Sequence, residues 1–148
     1  MMKEFDRLIG EWRVNAEIPT EPPTMVVGES TIERLGAFIV YRSTSAPPVP
    51  DNISVIGGAH AGEPQPMHYF DSRGVKRLLL TAVERSTWKM WRAPGEDWNG
   101  PDGPGFNQRF FGEISADGNT IRGRWERGMG AAGDQWEIDF PVTYSRKP

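Results

Sequence analysis

The chain has 148 residues, contains no cysteine and carries a formal net charge of −3. The missing cysteines exclude disulfide scaffolds and thiol chemistry, and the small negative charge offers no broad basic field for nucleic acid. No apolar run approaches the roughly 20 residues of a membrane helix, and the charged N-terminus lacks the apolar region of a signal peptide. We therefore expect one cytoplasmic domain over residues 1–148, without a membrane span or a nucleic-acid partner.

The predicted elements begin with a short helical turn and continue as strands. Phe5, Leu8 and Ile9 have helical spacing, and Gly10 ends that turn. From Gly10 onward the apolar residues alternate with period two, which is typical of half-buried strands. Besides a first strand that starts at Gly10, the pattern predicts strands over 25–35, 37–43, 52–56, 67–71, 75–84, 86–93, 106–115, 120–127 and 136–144.

Tight turns separate most of these strands. Asp117-Gly118-Asn119 is a strong hairpin signal, and residues 71–74 form another turn in which Asp71 pairs with Arg73. An antiparallel meander of this length avoids exposed edges by closing on itself. The sequence therefore predicts an all-β, closed antiparallel up-and-down barrel of about ten strands with a short N-terminal helical turn. A sandwich is the alternative, although it needs long crossover connections.

Several strands indicate which residues face inward. In the last strand Trp136, Ile138, Phe140, Val142 and Tyr144 share one face. Gly112 and Gly123 fall on inward faces, where a missing side chain either adds volume or marks a bend.

One connection, residues 94–105, is long for a compact domain. Seven of its 12 residues are glycine or proline, and it contains Trp98. Loops of this length are usually functional or disordered. Trp98 is therefore either part of a lid over an apolar site or packed on the barrel exterior.

The segment Gly10-Glu11-Trp12 resembles the start of the first strand in the calycin group, which includes lipocalins and fatty-acid-binding proteins. The resemblance implies that Trp12 plugs one end of the barrel and that Arg146, near the end of the chain, lies across it. Longer runs resemble an uncharacterised bacterial family of calycin-like barrels, which implies the fold and no function. These runs are 28–33, 68–74, 106–110 and 117–126.

A distant likeness to nitrobindin-like barrels raises the question of haem. Those proteins hold haem through a histidine near their C-terminal strands, but residues 112–148 contain no histidine. His68 is the remaining candidate ligand, and its alternative role is a hydrogen-bonded wall residue. His60 lies in a loop, and the two histidines have no metal-ligand spacing. We expect no metal site and no cofactor, with haem as the alternative.

The candidate binding residues come from strands with an inward phase. Fatty-acid-binding relatives use inward arginines to hold a carboxylate, and Arg92 shares its phase with Trp88 and Met90. Arg77 also lies on a predicted strand. The predicted ligand-binding set is Tyr41, His68, Phe70, Trp88, Met90, Arg92, Trp98 and Phe110, with Tyr41 and His68 as polar handles.

Three functions follow from this set. The first is non-covalent binding of a small apolar or amphipathic molecule inside the barrel, without a catalytic residue. The second is a haem-dependent or other enzyme built in the cavity. The third is a filled barrel that serves as a structural or interaction module. The sequence does not indicate an oligomer.

Overall fold

A computed structural model describes residues 2–96 and 106–148. A short 3₁₀ helix over Lys3–Leu8 precedes ten strands in this part of the chain. The strands are β1 (Gly10–Ile18), β2 (Thr24–Leu35), β3 (Phe38–Ser45), β4 (Asn52–Ile56), β5 (Gln65–Asp71), β6 (Lys76–Glu84), β7 (Thr87–Arg92), β8 (Asn107–Ile114), β9 (Thr120–Met129) and β10 (Gln135–Arg146).

The strands form one closed antiparallel barrel. Each strand pairs with its sequence neighbours, and β1 pairs with β10 to close the circle. Trp12 is the Cα partner of Arg146 in that closing ladder. The predicted all-β up-and-down barrel with an N-terminal helical turn is confirmed, and the sandwich alternative is wrong. Among the described residues, no helix has the length and apolar character needed to cross a bilayer.

The N-terminal helix closes one end of the barrel. Phe5 and Leu8 are each 1% exposed and belong to the hydrophobic core. The Trp12 indole N–H donates to the carbonyl oxygen of Leu8 at 2.9 Å, which fixes the helix onto the first strand. At the opposite end β1, β3, β5, β7 and β9 finish and the strands after them begin; we call that end the mouth.

The last strand does not keep one face along its whole length. A register irregularity between Ile138 and Phe140 reverses the side-chain alternation in β10. Phe140, Val142 and Tyr144 therefore face inward, but Ile138 is 62% exposed. Trp136 lies on the outer surface, where the Arg109 guanidinium carbon is 3.9 Å from the centroid of its ring. The prediction that Trp136 and Ile138 share the inward face is wrong, because the bulge adds one residue to the strand.

Gly112 and Gly123 make room for an aromatic ring rather than for a ligand. A Cβ at Gly123 would lie 2.6 Å from Cζ of Phe110, and one at Gly112 would lie 2.9 Å from the same atom. The Phe110 ring therefore fills the space that both glycines leave. Of the two interpretations of these inward glycines, added cavity volume is wrong.

Candidate ligand-binding cavity

A cavity of about 330 Å³ lies inside the barrel between the mouth and the core. Its wall is mainly apolar and comes from strands all around the barrel, through Ala16, Val26, Met67, Leu79, Met90 and Val142. Arg73 also lines the cavity, and its side chain is 48% exposed. The cavity therefore reaches the surface at the mouth. Its volume is at the small end of the roughly 300–1,000 Å³ of ligand pockets.

The inner end of the cavity is formed by two tyrosines. They pack on the rings of Trp88 and Phe110, which we call the aromatic cluster. The hydroxyl oxygens of Tyr41 and Tyr144 are 2.6 Å apart and form a hydrogen bond. The two residues are 7% and 4% exposed, and both line the cavity. The fully buried Trp88 ring packs at 5.7 Å from Tyr144 and at 5.2 Å from Phe110, measured between ring centroids. We call Tyr41 and Tyr144 the tyrosine pair.

Burial raises the pKa of the Tyr144 hydroxyl well above its ordinary value, and the neighbouring Tyr41 adds to the effect. Ionising this phenol would place a negative charge among buried aromatic rings, where it is poorly solvated. Tyr144 therefore keeps its proton throughout the physiological pH range and acts as a neutral hydrogen-bonding group.

A second hydroxyl pair lies on one side of the cavity. Ser30 on β2 and Ser43 on β3 are cross-strand partners, and their hydroxyl oxygens are 2.6 Å apart. Both residues line the cavity, and Ser30 is 2% exposed. In the part of the chain that the structure describes, these two serines bond to each other rather than to a histidine or a carboxylate, so neither is paired with the base that a serine nucleophile requires.

The mouth carries the charged groups of the cavity. The Asp71 side chain is fully buried; it accepts a hydrogen bond from Tyr69 at 2.8 Å and pairs with Arg73 at 2.7 Å. Burial acts to raise the pKa of the Asp71 carboxyl, but the hydrogen bonds from Arg73 and Tyr69 outweigh it and hold the pKa below its ordinary value. The expected turn pairing of Asp71 with Arg73 is confirmed.

Arg77 continues this polar rim on β6. It lines the cavity and donates from Nη1 to the side-chain oxygen of Gln108 on β8, over 3.2 Å. Burial lowers the pKa of its guanidinium, although an arginine remains charged at neutral pH. We call Tyr69, Arg73, Arg77 and Gln108 the polar rim.

The structure brings only some of the predicted site residues to the cavity. Tyr41 and Met90 line it. Trp88 and Phe110 are both fully buried and lie in the aromatic cluster beneath the tyrosine pair. The sequence predicts that both side chains face the barrel interior, but it does not predict how far from the mouth they lie.

His68 and Phe70 lie on the outer surface of β5. Met67 is the Cα partner of Ile56 and Leu79, two buried core residues, and this pairing turns Met67 and Tyr69 inward. Phe70 is accordingly 41% exposed, and His68 is exposed as well. The prediction that His68 and Phe70 line the cavity is wrong, because strand alternation directs both side chains away from it.

The position of His68 also decides how well the cavity fits a histidine-ligated haem. The chain has two histidines, His60 and His68, and both are exposed outside the barrel. The cavity therefore has no imidazole with which to ligate a haem iron. In the described part of the chain, no group of three or more histidine, aspartate or glutamate side chains is arranged to hold a metal ion.

Arg92 and Trp98 complete the predicted set. Arg92 is the Cα partner of Leu79, but it lines a separate depression of about 470 Å³ on β7 and β8 instead of the main cavity. In the main cavity, Arg73 and Arg77 provide the guanidinium groups instead. Trp98 lies outside the described residues.

Sequence reasoning also missed Tyr144, Tyr69 and the arginines of the polar rim. The alternation in the last strand predicts that Tyr144 faces inward. This inward direction is the signal in the sequence for a role in the cavity. Tyr69 had the same signal through its alternation with His68. Arg73 gave no such signal, because it lies in a turn where charged residues are common.

Comparisons with known proteins support the fold. No family model matches the chain, and no curated protein matches it. Among solved structures, the crystal structure of Rv2717c from M. tuberculosis is similar, with a TM-score of 0.66 and 13% sequence identity. The alignment covers 100% of this chain and 99% of that one. At this identity the likeness shows a shared barrel architecture, and it does not assign the chain to the calycin or nitrobindin group.

Proposed function

We propose that this barrel binds a small, mostly apolar molecule non-covalently in its interior. The observation that carries the proposal is the cavity of about 330 Å³, which has an apolar wall and reaches the surface at the mouth. Burial of apolar ligand surface against that wall supplies affinity at roughly 25 cal/mol per Å². The polar rim orients the ligand by hydrogen bonding to a polar group at its outer end.

The proposal is binding without chemical conversion. The Ser30 and Ser43 hydroxyls bond to each other, and burial raises the pKa of the Tyr69 phenol, which donates to Asp71. Neither group is poised as a nucleophile. The cavity does not suit a histidine-ligated haem, because both histidines lie outside it. A filled structural barrel is disfavoured by the cavity itself.

A cavity-filling variant tests the proposal. Ala16 is 8% exposed and lines the cavity, so Ala16→Phe places a phenyl ring where the ligand would lie. The probe is 2-isopropenylnaphthalene, an apolar molecule of fitting size, titrated by fluorescence. A loss of roughly 60 Å² of buried apolar contact weakens its binding about tenfold.

The control is Glu17→Phe, which adds the same ring at the next residue on the exposed outer face. We expect this variant to bind the probe as the unmodified protein does. Far-ultraviolet circular dichroism checks that both variants keep the barrel. Equal affinity in all three proteins would overturn the proposal, and so would no binding by the unmodified protein of either this hydrocarbon or a ketone of the same shape.

A further inference from the structure

The tyrosine pair contains one more hydrogen-bond donor than the pair itself uses. Two phenols carry two O–H groups, and the bond between Tyr41 and Tyr144 consumes one of them. Among residues 2–96 and 106–148, neither phenol has a second hydrogen-bond partner. One O–H group of the pair is therefore available at the inner end of the cavity.

Among the described residues, the polar groups nearest to the pair bond to one another and not to that O–H. The Trp88 indole N–H donates to the Thr81 hydroxyl at 3.0 Å, and Thr81 in turn donates to the carbonyl oxygen of Lys89 at 2.9 Å. These groups thus satisfy one another. Trp88 and Thr81 are both fully buried. In such surroundings the unpaired O–H group of the tyrosine pair has a free-energy cost.

A second unpaired hydroxyl lies on the strand that pairs with β3 and β5. Ser54 on β4 is the Cα partner of Tyr41 and of Tyr69, both of which line the cavity. Ser54 is 0% exposed, and its Oγ has no hydrogen-bond partner among the described residues. The inner part of the barrel thus holds more hydroxyl hydrogen-bonding capacity than its own side chains use.

The charge distribution indicates the kind of group that the tyrosine pair suits. In the described part of the chain, the cationic side chains that line the cavity are Arg73 and Arg77, and both lie at the mouth. The inner end has aromatic neighbours instead. A carboxylate there would be desolvated without a cationic partner, whereas a carbonyl oxygen needs only a donor.

We propose that the tyrosine pair is a donor site that recognises an uncharged oxygen acceptor, such as a ketone, aldehyde or ester carbonyl, on the leading end of the bound molecule. This inference rests on the proposed function and narrows it to a class of ligand. The specificity is for an apolar body whose buried end carries one carbonyl group. The polar rim contacts the opposite end.

Two probes of matched shape test the inference. 2-Acetylnaphthalene carries a carbonyl where 2-isopropenylnaphthalene carries a C=CH₂ group. The variant is Tyr41→Phe combined with Tyr144→Phe, which removes both donors and leaves no phenol unpaired. We expect the double variant to bind the ketone about three- to tenfold more weakly, and to bind the alkene as tightly as the unmodified protein or more tightly.

Infrared spectroscopy gives a readout that does not depend on the variant. A hydrogen bond lowers the stretching frequency of a carbonyl group, so the ketone bound to the unmodified protein should absorb below the frequency it has in hexane. The control variant is Thr143→Val, which removes a hydroxyl on β10 next to Tyr144 but on the opposite face. It should leave both affinities and the carbonyl frequency unchanged.

The outcomes separate the two proposals. If the alkene binds but the ketone shows no lowered frequency, or if the double variant weakens both probes equally, the donor site is wrong and the binding function stands. If neither probe binds, the binding function fails and the donor site fails with it. Selective loss of ketone affinity together with the lowered frequency supports the donor site.

Discussion

The Arg146 guanidinium carbon lies 4.2 Å from the centroid of the Trp12 ring. The same guanidinium donates to the carbonyl oxygens of Ile9, Arg7 and Gly118 at 2.6, 3.0 and 3.1 Å. It thereby joins the last strand, the N-terminal helix and the turn between β8 and β9. Gly10 has a φ of +142°, which L side chains rarely adopt, and a Cβ there would also collide with this guanidinium; both features favour glycine two residues before Trp12.

The first prediction concerns this guanidinium. Arg146→Lys keeps the positive charge but loses the forked geometry that reaches three carbonyl groups. We expect the free energy of unfolding to fall by about 1.5–3 kcal/mol, as measured by urea denaturation. Lys147→Gln is the control, since Lys147 makes a surface ion pair with Glu29 and its loss should cost at most about 0.5 kcal/mol. Similar values for the two variants would contradict the closing role of Arg146.

The second prediction concerns the glycines beneath Phe110. In Gly123→Ala, the new methyl group would meet the Phe110 ring and the backbone oxygen of Phe111. Overpacking of this kind lowers the free energy of unfolding by about 1–3 kcal/mol. Thermal and urea denaturation measure the loss. Arg122→Ala, on the exposed face of the same strand, should change it by no more than about 0.5 kcal/mol, and an equally mild Gly123→Ala would show that Phe110 can move aside.

The third prediction concerns acid stability at the mouth. The folded pKa of Asp71 lies below the ordinary aspartate value of 3.8. Its charged form therefore adds stability at pH values above 3.8, and this stability is lost as the pH falls through the lower folded pKa. Asp71→Asn should destabilise the protein by about 1–3 kcal/mol at pH 7, and the difference should shrink as the pH falls below 3.8.

Urea denaturation at a series of pH values measures this difference. Glu17→Gln is the control at an exposed position for which the described part of the chain shows no ion pair, and it should change the free energy of unfolding at pH 7 by no more than about 0.5 kcal/mol. A constant gap between Asp71→Asn and the unmodified protein down to pH 2.5 would contradict the prediction.

The fourth prediction concerns haem. Because His68 lies on the outer surface, His68→Ala should leave the absorption spectrum of a hemin titration unchanged. A Soret band that is present in the unmodified protein and lost in this variant would show that the outer face of β5 binds haem.

The barrel was predictable because period-two alternation and turn residues recur along most of the chain. The choice of face in β5 was not, because Met67 and Tyr69 on one side and Phe70 on the other are all apolar or aromatic. The buried partners Ile56 and Leu79 decide it, and only the sheet register identifies them. The bulge before Phe140 is equally invisible in the sequence, since one added residue changes no residue type yet reverses the strand.

The N-terminal helix and Trp12 close one end of the barrel, so its two ends are not equivalent. A molecule that enters at the mouth cannot leave through the far end, so the group that enters first is the last to leave. Under the proposed function, the chemistry of the leading group determines how long a ligand stays, while a tail longer than the cavity projects into solvent. Selectivity of the cavity would be strict for the leading end of the ligand and permissive for its tail.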